Sequence, residues 1–218
     1  MNQILGNTPK IDFSYNNSIR KKFKIILLIF IFISISSIIL LIFLKYNSFK
    51  KEKISKDLIN NFGITTLYSN SNAYSSKLTS ILSFEDENPF VIGLIKIDKI
   101  DLFYPILSTT SEELLEISPC RFYGPMPNEV GNLCIAGHNN ANDKLFGKLD
   151  LLNIDDSIKL YDLNGSLTRY IIYDKRQIKA DDVSCTEQNT NGAKELTLIT
   201  CNNLKNSRLL LKAKEVSL

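Results

Sequence analysis

Twenty consecutive residues, Ile25 to Leu44 (IILLIFIFISISSIILLIFL), carry no charge, and their only polar side chains are Ser34, Ser36 and Ser37. Serine hydroxyls can bond back to carbonyls of their own helix, so the run stays compatible with a lipid environment. As a helix rising about 1.5 Å per residue it spans ~30 Å, the thickness of a bilayer's hydrocarbon core. A buried helix of a soluble domain is the competing reading, and an all-round apolar surface bounded by lysines at both ends argues against it. A cleaved signal peptide is the other, but the run exceeds the usual ~7–15 apolar residues and no small-x-small cleavage site follows Leu44. The sequence therefore predicts an uncleaved transmembrane anchor.

The charge distribution narrows what the rest can be. Lys10, Arg20, Lys21, Lys22 and Lys24 precede the apolar run with Asp12, so that the net +3 of the whole chain leaves residues 45–218 at −1. A protein that binds nucleic acid by neutralising phosphates carries its excess cations on the folded part, and this one does not. Lys45, Lys50, Lys51, Lys53 and Lys56 follow the run, so a count of basic residues does not orient it. The denser cluster at residues 20–24 favours a cytoplasmic tail over 1–24 and a domain outside.

Beyond the anchor, residues 49–62 (FKKEKISKDLINNF) place Ile54, Leu58, Ile59 and Phe62 at helical spacing among charges. This predicts a short amphipathic helix that docks on the domain or acts as a stalk. Tyr68 to Ser80, rich in Ser and Asn, reads as linker. Residues 45–88 are thus stalk helix and linker, and 89–218 the folded domain. There the apolar runs are strand-sized: 91–97, 102–106, 132–136, 157–162, 167–173, 195–200 and 208–213. Asn164-Gly165 predicts a hairpin through a type I′ turn. Thr110 with Glu113 predicts a capping box opening a short helix over Glu112 to Ile117. Many short strands with few helices predict an all-β domain, a barrel or a sandwich.

His138 is the only histidine, so any mechanism that needs an imidazole must use it. It follows Ala136-Gly137 where a predicted strand gives way to a loop, a position equally open to a surface histidine. Of four cysteines, Cys134 lies inside an apolar strand, while Cys120 and Cys185 sit in loop contexts. An even count on an external protein allows disulfides, with three full pairings that the sequence does not distinguish. Cys201 ends the strand ELTLIT and Arg208 opens the next. A thiol held at a strand end near a cation suits a nucleophile, with the arginine lowering its pKa or holding an oxyanion. A second core cysteine beside a surface arginine remains an equal alternative at this point. A zinc site from Cys134, His138 and Cys201 lacks a C-x-x-C pair and is set aside.

The pieces IGLIKIDKIDLFYPI, GPMPNEVGNLCIAGHN and LTLITC followed by Arg208 resemble, in that order and spacing, the sortase family of Gram-positive cell-surface transpeptidases. The resemblance covers about Phe90 to Lys214, and its most specific part is GNLCIAGHN together with TLITC. It implies a closed eight-stranded β-barrel with a few short helices behind one N-terminal transmembrane helix. It also implies His138, Cys201 and Arg208 as the catalytic trio, Thr200 lining the substrate groove, and the domain outside the cell. The lack of an Asp beside Asn88-Pro89-Phe90, the single apolar span and the short stretch from Ile178 to Lys194 fit a single-anchor, general-purpose or class D-like member, while the short segment between Cys201 and Arg208 departs from the family and leaves out substrate contacts that longer loops make. Only Glu129 falls where some members bind calcium, so neither metal nor cofactor is expected.

The activity implied is cleavage of an LPxTG-like sorting signal in a secreted protein through a thioester, followed by transfer to an amine of a cell-wall precursor. Expected partners are proteins with a C-terminal sorting signal, that amine acceptor and the membrane, with no nucleic acid. Two other classes share parts of the pattern: a membrane-tethered thiol peptidase that needs no acceptor amine, and a non-catalytic β-domain that binds wall components.

Overall fold

The computed structural model describes residues 13–65, 89–140, 143–202 and 207–216. Helix α1 (Phe13–Thr65) contributes to both of two compact units, Met1–Phe49 and Lys50–Leu218. In the first, every large apolar side chain from Ile25 to Leu44 is exposed. The helix is long and apolar enough to cross a membrane, with none of its apolar stretch buried in protein. Apolar surface left uncovered over residues 25–44 is compatible with a lipid solvent.

The second unit is a closed barrel of eight strands in the order β1-β2-β3-β4-β7-β8-β6-β5. They are β1 (Val91–Ile97), β2 (Leu102–Leu107), β3 (Cys120–Tyr123), β4 (Gly131–Ala136), β5 (Ser157–Tyr161), β6 (Leu167–Lys179), β7 (Lys194–Asn202) and β8 (Ser207–Glu215). Closure leaves no long unpaired edge. The interior is filled by inward residues of neighbouring strands, among them Ile95, Leu133, Ile135, Leu196, Leu198, Leu211 and Ala213. Strand β1 is apolar on both faces because both are covered. Ile92, Ile95 and Ile97 enter the barrel interior, while Val91 and Leu94 join an outer cluster with Leu58 of α1, Leu107, Leu114 and Cys120. The amphipathic segment read from residues 49–62 therefore docks on the domain through Leu58, with Ile54 and Ile59 packed beside it. Burying a leucine this fully contributes about 1.5–3 kcal/mol.

Three local expectations are corrected. The Asn164-Gly165 hairpin forms, but only Gly165 of the pair has positive φ, at 77°. Asp162 explains the difference: its Oδ1 accepts from the backbone N–H groups of Asn164 and Ser166, while its carbonyl accepts from Gly165. The carboxylate thus organises a turn that a type I′ pair would otherwise supply. The short helix is one turn, Glu112–Leu115, capped by Ser111 rather than Thr110, the Ser111 hydroxyl accepting from Leu114 N–H at 3.2 Å. Strand β3 was not predicted, since four residues flanked by Pro119 offer no periodicity; its antiparallel ladder to β4 and one parallel bridge to β2 hold it. The predicted linker Tyr68–Ser80 lies outside the described residues.

Candidate active site

Three residues of the expected trio are brought abreast by strand register. β4 and β7 run parallel, with Cys134 beside Thr197 and Ala136 beside Ile199. Two residues further along each strand direction lie His138, just past β4, and Cys201, still within β7, at the same end of the sheet. β7 and β8 are antiparallel, and Cys201 is directly opposite Arg208. Alternation along β7 sends Leu196 and Leu198 into the barrel and Ile199 to the outer face, where it packs with Cys134 and Leu210. Cys201 shares the face of Ile199, and Arg208 the face of Leu210. Cys201 and Arg208 therefore share one outer surface of β7 and β8, and His138 lies two residues past the end of the adjacent β4.

That surface is covered at one end and open at the other. The connection between β6 and β7 lies over the N-terminal half of β4, stapled there by Asn132. The fully buried amide of Asn132 donates to the carbonyls of Cys185 at 2.9 Å and Glu187 at 3.0 Å, and accepts from the Thr197 hydroxyl at 2.7 Å. Each of its polar atoms has a partner, which a buried amide requires. Cys185 of this cover packs with Cys134, Ile178, Ile199 and Leu210. Beyond it Cys201 is exposed, while the other three cysteines are buried and all four are free.

Burial separates the thiols chemically. It pushes Cys120 and Cys134 up to about 12, and raises Cys185 as well. The thiolate is the nucleophilic form, so these three are inert near neutral pH. The loop reading of Cys120 is corrected, since it opens β3, whereas Cys185 does lie in the connection between β6 and β7, in a 3₁₀ turn; each is buried in an apolar cluster. Cys134 is a buried hydrophobe, as its strand setting suggested.

The segment carrying His138 is held on both sides. Past the end of β4, Gly137 N–H donates to Ile199 carbonyl at 3.1 Å. The Thr200 hydroxyl donates to Gly137 carbonyl at 2.8 Å, and the Asn139 side-chain amide donates to Cys201 carbonyl at 2.9 Å. These bonds continue the parallel pairing into the loop and tie the imidazole's neighbours to the thiol's strand. On the far side Phe146, buried in the barrel core, donates its N–H to His138 carbonyl at 3.0 Å. A Cβ on Gly137 would stand 2.6 Å from the Phe146 ring, so only glycine lets the loop close over that anchor. Glu112, opening the one-turn helix, brings its Oε2 to 3.9 Å from His138 Nε2.

Thr200, expected to line the substrate groove, belongs to the same strand as Cys201. It is buried, on the inward face with Leu196 and Leu198, and its hydroxyl is committed to Gly137. Asn139 and Glu112 are the neighbours that sequence reasoning missed. Asn139 adjoins the histidine in the motif GHN, which was the available signal; nothing local tied Glu112 to His138.

A sortase-domain family model matches residues 95–216, more than half of the chain. Sortase A of Bacillus anthracis is 30% identical over 118 residues, which are 54% of this chain and 55% of that one. The match thus spans about half the length of that curated relative. Among solved structures, the sortase D5 transpeptidase of Clostridium perfringens shares 27% identity with a TM-score of 0.58, covering 77% of this chain and 99% of that one. Sortase A from Corynebacterium diphtheriae shares 27% identity with a TM-score of 0.55, over 69% of this chain and 72% of that one. The closed eight-stranded barrel and these likenesses define the class as a sortase-type barrel. The chain belongs to the sortase family.

Proposed function

We propose that this protein is a membrane-anchored cysteine transpeptidase that cleaves an LPxTG-like sorting signal and transfers the cleaved protein to a cell-wall amine. The observation that carries the reading is the exposed Cys201, opposite Arg208 and two residues past the same ladder end as His138. The Cys201 thiolate attacks the Thr–Gly carbonyl, and its negative charge passes to the carbonyl oxygen. Arg208 and backbone N–H groups stabilise that oxyanion. As the tetrahedral adduct collapses, the C–N bond breaks and protonated His138 gives its proton to the departing amine. A thioester remains on Cys201. An acceptor amine then attacks it, neutral His138 takes the amine's proton, and the thiolate leaves as the new amide forms. Water is the competing nucleophile, so transfer depends on an acceptor that is bound and oriented.

Mass spectrometry of the protein with a panel of sorting-signal peptides tests this directly. The expected products are an acyl adduct on Cys201 and, with an amine acceptor peptide present, a ligated peptide in place of most of the hydrolysed one. Hydrolysis unaffected by any acceptor would make the protein a thiol peptidase, and no adduct with any peptide would leave it a binding domain.

The same reading anchors the chain through residues 25–44 with residues 1–24 in the cytoplasm, because substrates and acceptor amines lie outside. Support comes from the cation cluster at residues 20–24 and from the uncovered apolar helix. The full chain is expected in the membrane fraction at unprocessed mass, with external protease removing the barrel from protoplasts. Protection of the barrel in intact protoplasts would reverse the orientation.

A further inference from the structure

Two adjacent residues of α1, Lys51 and Glu52, each bind a segment that flanks His138. Glu52 Oε2 meets Lys144 Nζ at 2.5 Å. Lys144 lies in the loop between His138 and its anchor Phe146, where Asn139 pairs with Leu145 in an isolated bridge. Lys51 pairs with Glu116, one turn beyond Glu112, whose carboxylate faces the imidazole. The same stretch of α1 is fixed to the barrel by Leu58, which shares an apolar cluster with Leu114 of that one-turn helix. Glu52 is further steadied by Lys56 at 2.8 Å on its own helix.

We propose that residues 50–61 of α1 form a positioning element of the active site, in which Lys51 and Glu52 hold the two segments that bracket His138. The physical need is plain from the geometry. Glu112 is 88% exposed in its side chain, and an exposed ion pair by itself is weak. Its distance to His138 is kept by what holds the backbones of the two segments, and α1 holds both. A misplacement of about 1 Å in an acid–base group can cost up to ~10²-fold in rate. The stretch that follows the apolar helix is thereby part of the catalytic apparatus rather than a passive spacer. Its catalytic consequence rests on the reading of His138 as the acid–base group.

Charge reversal in the full chain in detergent tests the proposal. Lys144→Glu sets like charges against each other at Glu52, and kcat for a sorting-signal peptide is expected to fall about tenfold with KM within about twofold. Adding Glu52→Lys to that variant is expected to restore kcat to within about threefold. Because His138 is the only histidine, its ring carbon resonance in histidine-labelled protein reports the imidazole's surroundings without reference to turnover. That single resonance is expected to shift in Lys144→Glu and return in the double variant. Melting temperature separates this from loss of fold, and the pair Lys51→Glu with Glu116→Lys repeats the test at the second contact should the first variant unfold. An unshifted resonance with unchanged kcat, or a double variant no better than the single one, overturns the proposal. A resonance that shifts and returns in a protein that forms no acyl adduct upholds the positioning and instead removes the transpeptidase reading.

Discussion

Replacing Cys201 with alanine is expected to remove peptide cleavage and acyl-adduct formation together, a loss of about 10⁴-fold or more. The size follows from the loss of a whole covalent route, since no neighbouring group can replace the thiolate. Cys120 and Cys134 are pushed up to about 12 by burial, and Cys185 is buried on the inner side of the connection that precedes β7. The variant should fold normally, because the exposed thiol belongs to no core cluster among the described residues. Parallel substitutions at Cys120 and Cys185 separate chemistry from packing. They should lower melting temperature through lost apolar contact while leaving kcat near its original value. Turnover retained without Cys201, measured by peptide cleavage and intact mass, would move the nucleophile elsewhere.

How far this centre could be read from the chain depended on which contacts were local. Cys201 and Arg208 stand close in sequence at the mouth of one hairpin, and their opposition follows once β7 and β8 pair. His138 lies far from both along the chain. The parallel pairing of β4 with β7 brings its segment to the end of the sheet that carries Cys201, and such pairing leaves no periodic trace in either strand. The resemblance of GNLCIAGHN and TLITC to a known family supplied what local pattern lacked.

Elsewhere the limits were also physical. Strand β1 was legible because VIGLIKI is apolar on both faces, each of them covered. The second half of β6, Asp174–Lys179, was not, since DKRQIK has one apolar residue; its strand form comes from pairing with Lys212 through Ser207 of β8. Thr200 could have been placed from the sequence. Leu196, Leu198 and Thr200 share one parity and Ile199 and Cys201 the other, so an outward thiol already implied an inward threonine.

Arg208→Lys is expected to be far more damaging than its conserved charge suggests, with kcat falling about 10²- to 10³-fold if the guanidinium is a principal oxyanion donor. Both side chains are cationic at neutral pH and both have long apolar stems, so neither net charge nor the half-buried setting on β8 changes much. What differs is geometry. A guanidinium offers a planar fork of donors that can hold two acceptors at once, whereas an ammonium is a compact, strongly hydrated point charge. Arg208 is fixed between Cys201 of β7 and Ile178 of β6 as cross-strand partners, so its fork is presented from a rigid sheet rather than from a loop. A lysine in that place would reach toward the same oxyanion with fewer donors and a hydration shell to shed. Because the bond to a developing negative charge is made in the transition state, kcat and kcat/KM should fall together, with KM little altered. Pre-steady-state acylation measured with a sorting-signal peptide isolates the step. If acylation in Arg208→Lys stays near the original rate, Arg208 does no more than supply positive charge near the thiol, and the backbone N–H groups carry the oxyanion.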